Sequence, residues 1–175
     1  SRRGLPHPPY ETTGTGPDHD RRYTSRVSLG RVTGEGSGKS TQAAMLAVAL
    51  RERGLGVLHT REPGGSEVGL AIRSVLLEAR RAPSSRAEML LYAADRADHV
   101  ATEIGPALTA GKVVICDRYA ASSIAYQGDA GTLDPAWVRA ISDWACGSLH
   151  PHRTFLLDVD PRDGLARAKR RGVTN

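Results

Sequence analysis

The stretch of the chain best suited to chemistry is residues 34–41, where three alternate glycines precede Lys39 and Ser40. Glycines leave backbone N–H groups open to an approaching phosphate, and a helix beginning near Lys39 adds the positive end of its dipole. Such a lysine reaches the β- and γ-phosphates of a nucleotide, and such a serine binds Mg²⁺. The stretch predicts a Walker A phosphate-binding loop whose contact residues are Gly34, Gly36, Ser37, Gly38, Lys39, Ser40 and Thr41.

A carboxylate placed at the end of a strand supports this interpretation. Residues 112–117, Lys-Val-Val-Ile-Cys-Asp, predict a buried strand that ends in Asp117. Buried strands of this kind deliver a metal-binding acid in P-loop proteins, so Ser40 and Asp117 are the predicted Mg²⁺ ligands. Thr33 stands where the Walker A pattern has a glycine, which leaves an ordinary glycine-rich helix cap as the alternative.

Strands and helices alternate along the rest of the sequence. Further strands are predicted at 26–32, 57–60 and 154–159. The predicted helices span about 39–53, 66–78, 86–110 with a kink at Pro106, 118–127, 134–146 and 163–171. This alternation predicts an α/β fold of the three-layer P-loop NTPase type, with a parallel sheet covered by helices on both faces.

Composition limits the remaining choices. The 175 residues carry a net charge of +5, but residues 27–160 carry −1, so nucleic-acid binding is not expected. Neither an apolar run of membrane-spanning length nor a signal peptide is predicted. Cys116 and Cys146 fit buried free thiols in a reducing cytoplasm. Residues 1–24 are predicted to be a disordered tail or linker, and 25–175 the folded domain.

Several motifs together resemble the thymidylate kinase family of P-loop nucleoside monophosphate kinases. They are Gly-Glu-Gly-Ser-Gly-Lys-Ser-Thr-Gln at 34–42, Thr-Arg-Glu-Pro-Gly-Gly at 60–65, Leu-Leu-Tyr-Ala-Ala-Asp-Arg at 90–96, Asp-Arg-Tyr at 117–119, Ser-Ser-Ile-Ala-Tyr-Gln-Gly at 122–128 and Leu-Asp-Val at 157–159. The resemblance implies transfer of the ATP γ-phosphoryl group to dTMP with Mg²⁺, giving dTDP and ADP, by a protein that is usually a homodimer.

The resemblance also implies roles for individual residues. Tyr92 would stack on thymine, and Arg96, one helical turn later, would hydrogen-bond the base. A core aromatic is the alternative for Tyr92, and a solvated surface arginine is the alternative for Arg73. The implied dTMP-binding residues are Glu35, Pro63, Arg73, Tyr92, Arg96, Arg118, Ser123, Tyr126 and Gln127. The implied catalytic residues are Glu35, Lys39, Asp117, Arg118 and Arg171.

Three other functions stay open at this point. Because Gly36 stands where some relatives have a catalytic arginine, the arginine is expected from a lid, of which the chain contains only the first residue, Arg171. The expected domain therefore lacks the lid and last strand, and a degenerate nucleotide-binding module with little turnover is the main alternative. A kinase for another monophosphate is disfavoured by Tyr92 and Arg96. A regulatory GTPase is disfavoured because the sequence has no guanine-reading Asn-Lys-x-Asp motif.

Overall fold

The computed structural model of the chain describes residues 26–29, 36–147 and 149–170. The strands are β1 Arg26–Leu29, β2 Val57–Arg61, β3 Val113–Asp117 and β4 Arg153–Thr154. The α-helices are α1 Lys39–Glu52, α2 Glu67–Glu78, α3 Ser85–His99, α4 Gly105–Thr109, α5 Ala120–Ser123, α6 Pro135–Cys146 and α7 Pro161–Arg170. The predicted tail at residues 1–24 lies outside the described residues.

The four strands form one parallel sheet in the order β2-β3-β1-β4. Alternate residues of β3 face opposite sides, as the two-residue period of a strand requires. Val113 and Ile115 pack with Ala43 and Ala47 of α1 on one face. On the other face, residues of β3 pack with Ile104, Ala107, Leu108, Cys146 and Leu149. The sheet therefore lies between two helical layers, which confirms the predicted fold class.

Short polar side chains begin three of the helices. Ser66 Oγ accepts a hydrogen bond from Gly69 N, and Ser84 Oγ accepts one from Ala87 N. Asp134 does the same for Ala136 N at the start of α6. Each satisfies a backbone donor that has no partner within the helix. These caps fix where the helices around the loops at the carboxyl edge of the sheet begin.

The prediction of a strand over 154–159 is wrong in its extent. β4 contains only Arg153 and Thr154, which pair with Val27 and Ser28 of β1. The following segment, residues 155–160, has no regular structure, and Phe155 and Leu156 are exposed. β4 is an edge strand within the described part of the sheet. Its shortness agrees with the short edge strands by which natural sheets limit their exposed edges.

The long helix predicted over 86–110 is interrupted. A π-helical turn at Val100–Ile104 separates α3 from α4, immediately before Pro106. Proline lacks an N–H group and crowds the preceding turn, which agrees with a widened turn at this point. A second π-helical segment, Ile124–Asp129, follows α5 within the helical region predicted over 118–127. The predicted helical character of both regions is confirmed, but not its regularity.

Cys116 and Cys146 are both free and buried, as predicted. Burial raises the pKa of the Cys116 thiol well above its ordinary value, so this group stays protonated near neutral pH. Within residues 26–29, 36–147 and 149–170, we find no helix that is both long and apolar enough to cross a membrane.

Candidate functional site

The described end of the phosphate-binding loop has the backbone that its glycines predict. Gly36 and Gly38 have φ values of 86° and 88°, a region that side chains with a Cβ rarely adopt. Gly38 directly precedes α1, so the loop runs into the amino terminus of that helix. Lys39 is only 7% exposed, and its Nζ donates to Ser37 Oγ at 3.0 Å. This contact holds the ammonium group over the loop, where a phosphate would lie.

Ser40 and Asp117 meet, as predicted for a Walker A serine and a Walker B aspartate. Ser40 Oγ donates to Asp117 Oδ2 at 2.5 Å. The other carboxylate oxygen, Asp117 Oδ1, is buried and has no hydrogen-bond partner among the described residues. A hydroxyl and a carboxylate with an unused oxygen are hard oxygen donors, which suit Mg²⁺. The residues therefore fit the ion that the sequence implies.

A cavity of about 810 Å³ opens beside the phosphate-binding loop. Its walls come from the loop, from α1, from residues 155–157 and from α7, whose Arg167 and Arg170 both line it. Gly36 has no space for a side chain, because a Cβ there would lie 1.9 Å from the carbonyl oxygen of Gly164 on α7. The close approach of α7 brings two arginines to the phosphate-binding side of the sheet.

A second loop, residues 61–65, lies next to Asp117. Glu62 N donates to the carbonyl oxygen of Asp117 at 3.0 Å, which continues the pairing of β2 with β3. Pro63 is buried, and its carbonyl oxygen accepts a hydrogen bond from Arg73 Nη1 at 2.9 Å. Arg73 is therefore packed against this loop and is not a solvated surface arginine.

Tyr92 lies among the charges that the resemblance assigns to dTMP binding. The ring is half-buried, and burial raises the pKa of its phenol, with Glu88 adding to the rise. The positive charges of Arg118 and Arg73 act on the same pKa in the opposite direction. An electrostatic effect from both arginines places them in the neighbourhood of Tyr92.

Arg118, Tyr126 and Gln127 border the same region. Arg118 has a φ of 71°, the only positive value at a non-glycine position in the described chain, and its Cζ lies 5.5 Å from the centre of the Tyr126 ring. A strained backbone at a charged residue is typical of functional sites. Gln127 Nε2 donates to Glu88 Oε1 at 2.7 Å, which ties the segment after α5 to α3.

Arg96 is the most deeply buried of the predicted site residues, with 1% of its surface exposed. Its Nε donates to Glu62 Oε2 at 2.9 Å and its Nη2 to Ser123 Oγ at 3.1 Å. Burial lowers the pKa of Arg96, but the Glu62 carboxylate raises it, and the net pKa lies above its ordinary value. Arg96 Nη1 is buried and has no partner within the described part of the chain. The donors of Nη1 are therefore unsatisfied in this structure.

Asp95, the residue before Arg96, contacts the second loop at Gly64. Its Oδ1 accepts from Gly64 N at 2.8 Å, and its side chain is fully buried. Burial raises the pKa of Asp95 to about 6; the hydrogen bond from Gly64 lowers it and the Glu62 carboxylate raises it. The charged form of Asp95 is therefore less favourable in the folded chain than in water.

We expect Asp95→Asn to change the pH dependence of stability. Because the folded pKa of about 6 lies above the unfolded value of 3.8, the stability from Asp95 is fully present below pH 4 and is lost as pH rises through 6. The free energy of unfolding of the variant, minus that of the parent, should increase by about 1–3 kcal/mol from pH 4 to pH 7. Urea titrations measure this, with exposed Asp143→Asn as the control. A difference that is constant with pH contradicts the assignment.

Of the predicted site residues, Gly34, Glu35 and Arg171 lie outside the described residues. The others fall into two neighbouring groups at the carboxyl edge of the sheet, one around Ser40 and Asp117 and one around Tyr92. The structure adds Glu62, Glu88, Asp95 and His99 to the second group. Glu62 belongs to the Arg-Glu-Pro-Gly-Gly motif, and His99 follows Arg96 by three residues on one face of α3. These spacings are the signals that could have identified them.

The fold has three layers, with a parallel sheet in the middle and a phosphate-binding loop between β1 and α1. Together with the aspartate that ends β3 beside this loop, it defines a P-loop nucleotide-binding protein. The thymidylate kinase family model matches residues 34–175. The chain belongs to the thymidylate kinase family. It is 51% identical over 138 residues to a thymidylate kinase of Synechococcus sp. (strain JA-2-3B'a(2-13)), covering 79% of this chain and 66% of that protein.

Other relatives agree. A thymidylate kinase of Halothermothrix orenii is 50% identical over 135 residues, covering 77% of this chain and 65% of that protein. The crystal structure of thymidylate kinase from Ehrlichia chaffeensis superposes with a TM-score of 0.72 at 33% identity, covering 85% of this chain and 84% of that one. The chain spans about two thirds of the length of the curated relatives that it matches.

Proposed function

We propose that the chain transfers the γ-phosphoryl group of ATP to dTMP, giving dTDP and ADP. One observation carries the proposal: Asp117 accepts a hydrogen bond from the serine of the phosphate-binding loop, while Arg118, the next residue, lies over the ring of Tyr126. Two consecutive residues at the end of β3 thus face the two predicted substrate sites. This arrangement supports direct transfer between two bound nucleotides. No observation on the described residues favours the degenerate nucleotide-binding module.

The ATP side of the reaction is assigned to the phosphate-binding loop. Lys39 neutralises charge on the β- and γ-phosphates, and the backbone N–H groups at the start of α1 add to this. Ser40 and Asp117 would hold Mg²⁺, which would supply positive charge to stabilise the transition state. The arginines that line the cavity, Arg167 and Arg170, are the described cations on α7 that lie on this side.

The dTMP side needs little chemical activation. A phosphate monoester has a second pKa near 6, so its oxygen is already a nucleophile at neutral pH and needs no general base. That oxygen forms a bond to the γ-phosphorus while the bond to the β-phosphate oxygen breaks, and ADP leaves. Arg73 and Arg118 would bind the dTMP phosphate, Tyr92 would stack on thymine, and Arg96 Nη1 would donate to the base. Pro63, Ser123, Tyr126 and Gln127 complete the proposed dTMP contacts.

A coupled assay of ADP release tests the proposed function. With ATP and Mg²⁺ present, dTMP should give the highest kcat/KM among dTMP, dUMP, dCMP, AMP and GMP. The buried donor at Arg96 favours a base with an acceptor at the matching position, and rejects bases that leave it unpaired. Omission of Mg²⁺ should abolish turnover. Equal rates for all five monophosphates, or binding without turnover, would refute the assignment.

A homodimer and a cytoplasmic location are also proposed. The exposed faces of α2 and α3 carry large apolar side chains, which are Val68, Leu70, Val75, Leu77 and Leu90. Exposed apolar side chains on two helices that pack together favour an interface between copies of the chain. Sedimentation velocity should give a dimer that Leu77→Glu dissociates. The free, buried thiols support a reducing compartment, which cell fractionation would check.

A further inference from the structure

His99 is fully buried, with none of its surface exposed, and lies beneath the second loop, residues 61–65. Its Nδ1 lies 3.2 Å from Glu62 Oε1, and its Nε2 lies 2.8 Å from Thr60 Oγ1. Because an ionised carboxylate can only accept hydrogen bonds, Nδ1 is the donor in the first contact. The imidazole therefore connects α3 to the end of β2 and to Glu62 through both ring nitrogens.

The Glu62 carboxylate is shared between His99 and Arg96. Oε1 faces His99, and Oε2 accepts from Arg96 Nε at 2.9 Å. Two further contacts fix the guanidinium plane, one to Ser123 Oγ and one to the Tyr119 ring, whose centre lies 5.4 Å from Arg96 Cζ. With Nε and Nη2 both used, Nη1 is the part of Arg96 that is left for a ligand. Its direction depends on where Glu62 is held.

His99 also occupies the space below Gly65. A Cβ at Gly65 would lie 2.3 Å from His99 Nε2, which is closer than real Cβ atoms approach. The loop can follow its path over the ring only because residue 65 has no side chain. The same loop carries Pro63, whose carbonyl oxygen accepts from Arg73. Movement of the ring would therefore disturb both Arg96 and the loop that holds Arg73.

A metal ion is a poor alternative occupant of this cluster. Ligand atoms of Glu62, His99 and Cys116 lie within 4.8 Å of one another. However, the positive charge of Arg96 already pairs with Glu62, and it would repel a cation at this point. Cys116 Sγ donates to the carbonyl oxygen of Arg118 at 3.0 Å, so the thiol has a partner as well. The arrangement favours a hydrogen-bonded network.

We propose that His99 is a positioning residue for dTMP recognition, which holds Glu62 so that Arg96 presents Nη1 to the base. This inference rests on the proposed function. His99 does not touch the substrate in this account; it acts through the Glu62 carboxylate. Its loss should therefore weaken dTMP binding and leave ATP binding on the other side of β3 unchanged.

Two conservative variants separate the two ring nitrogens. The amide nitrogen of asparagine superposes on His Nδ1 and can donate to Glu62, whereas the amide of glutamine reaches the position of Nε2 and loses that contact. We expect His99→Gln to raise the Kd for dTMP about ten- to a hundredfold, the size expected for an unpaired buried group. His99→Asn should stay within about threefold of the parent. The Kd for ATP should be unchanged in both, as in the exposed control His59→Asn.

A double-mutant cycle tests whether the effect passes through Arg96. Calorimetric titrations with dTMP and with ATP are made on the full chain, on His99→Gln, on Arg96→Ala and on the double variant. We expect His99→Gln to weaken dTMP binding by less than about threefold once Arg96 is already alanine. The proposal is overturned if the two single variants lower dTMP affinity by factors that simply multiply in the double variant. It is also overturned if His99→Gln weakens dTMP and ATP binding equally, or if His99→Asn binds dTMP as weakly as His99→Gln.

Two further measurements keep the test decisive. If His99→Gln does not fold, Gly65→Ala displaces the ring while His99 itself stays, and the same selective loss of dTMP affinity is expected. In the parent chain, a long-range proton–nitrogen spectrum should show a proton on Nδ1 of His99, and its absence would overturn the proposal. A parent chain that binds no dTMP refutes the proposed function. A parent chain that binds dTMP, with a His99→Gln variant that binds it equally well, overturns the role of His99 alone.

Discussion

Replacement of Lys39 by methionine is expected to abolish stabilisation by ATP and to lower turnover about 10³-fold or more, the scale of a cation on a transferred phosphoryl group. Methionine preserves most of the buried aliphatic chain of Lys39 and removes only its charge. The parent should gain about 2.7 kcal/mol when ATP is at a hundred times its Kd. The variant should gain almost nothing, because it lacks the ammonium group that lies beside Ser37 of the phosphate-binding loop.

Thermal melts with and without ATP, together with ADP-release rates, measure the Lys39→Met effect. Lys112→Ala removes an exposed lysine immediately before β3 and serves as the matched control. The melting temperature without nucleotide should be similar in all three proteins. If Lys39→Met still responds to ATP like the parent, residues 36–40 are only a helix cap, and the alternative interpretation of the glycine-rich stretch is correct.

The parts of the fold that the sequence predicts well are those in which both sides of an element are buried. β3 was predicted through Asp117 because burial on both faces requires an unbroken apolar run, Val113–Asp117 being apolar up to its last residue. Ser66, Ser84 and Asp134 begin their helices through hydrogen bonds that their short side chains make locally. Local chemistry of this kind depends on few distant contacts and can be read from neighbouring residues.

The errors arise where tertiary neighbours decide. Phe155 and Leu156 have the composition of a strand, but β4 ends before them and both side chains are exposed. The π-helical turn at Val100–Ile104 has the helical residue types of an ordinary helix. Pro106 indicates that the helix is disturbed near this point, but the sequence does not show that the disturbance is a π-helical turn.

The candidate site likewise contains residues that a local motif identifies and residues that only the folded chain brings together. Ser40 and Asp117 could be paired in advance because the Walker motifs fix their chemistry and their strand. Glu62 lies in the Arg-Glu-Pro-Gly-Gly motif, but that motif does not indicate a partner 37 residues away at His99. Buried polar residues meet their hydrogen-bond partners only when the chain folds, so the sequence alone does not show which of them pair. The network beneath the second loop was therefore missed, although most of its neighbours were predicted.

We expect Glu62→Ala to lower the free energy of unfolding by about 3–5 kcal/mol, the largest stability effect predicted for the described residues. The Glu62 side chain is 2% exposed and pairs with Arg96, which is equally buried. Its removal leaves a charged guanidinium without a counter-ion, and it also leaves His99 Nδ1 without its acceptor. Urea unfolding measures the loss. Glu78→Ala, an exposed position at the end of α2, should change the free energy by less than about 0.5 kcal/mol.

A double variant separates stability from recognition. Glu62→Met with Arg96→Met replaces the buried ion pair by apolar side chains of similar volume, a change that is often neutral or stabilising for buried pairs. Most of the lost stability should return, with a residual cost of about 1–3 kcal/mol because His99 Nδ1 still lacks an acceptor. The affinity for dTMP should not return, because the donor at Nη1 is gone.

The combination of these results identifies why a charge is buried at this position. A stable double variant that fails to bind dTMP means that the Glu62–Arg96 pair is retained for recognition, since an apolar pair folds about as well. A double variant that recovers both stability and dTMP affinity contradicts the role of Arg96 in reading the base. If the double variant stays as unstable as Glu62→Ala, the loss comes from the loop itself, where Glu62 N bonds to Asp117, and from the His99 contact, and not from an unpaired guanidinium.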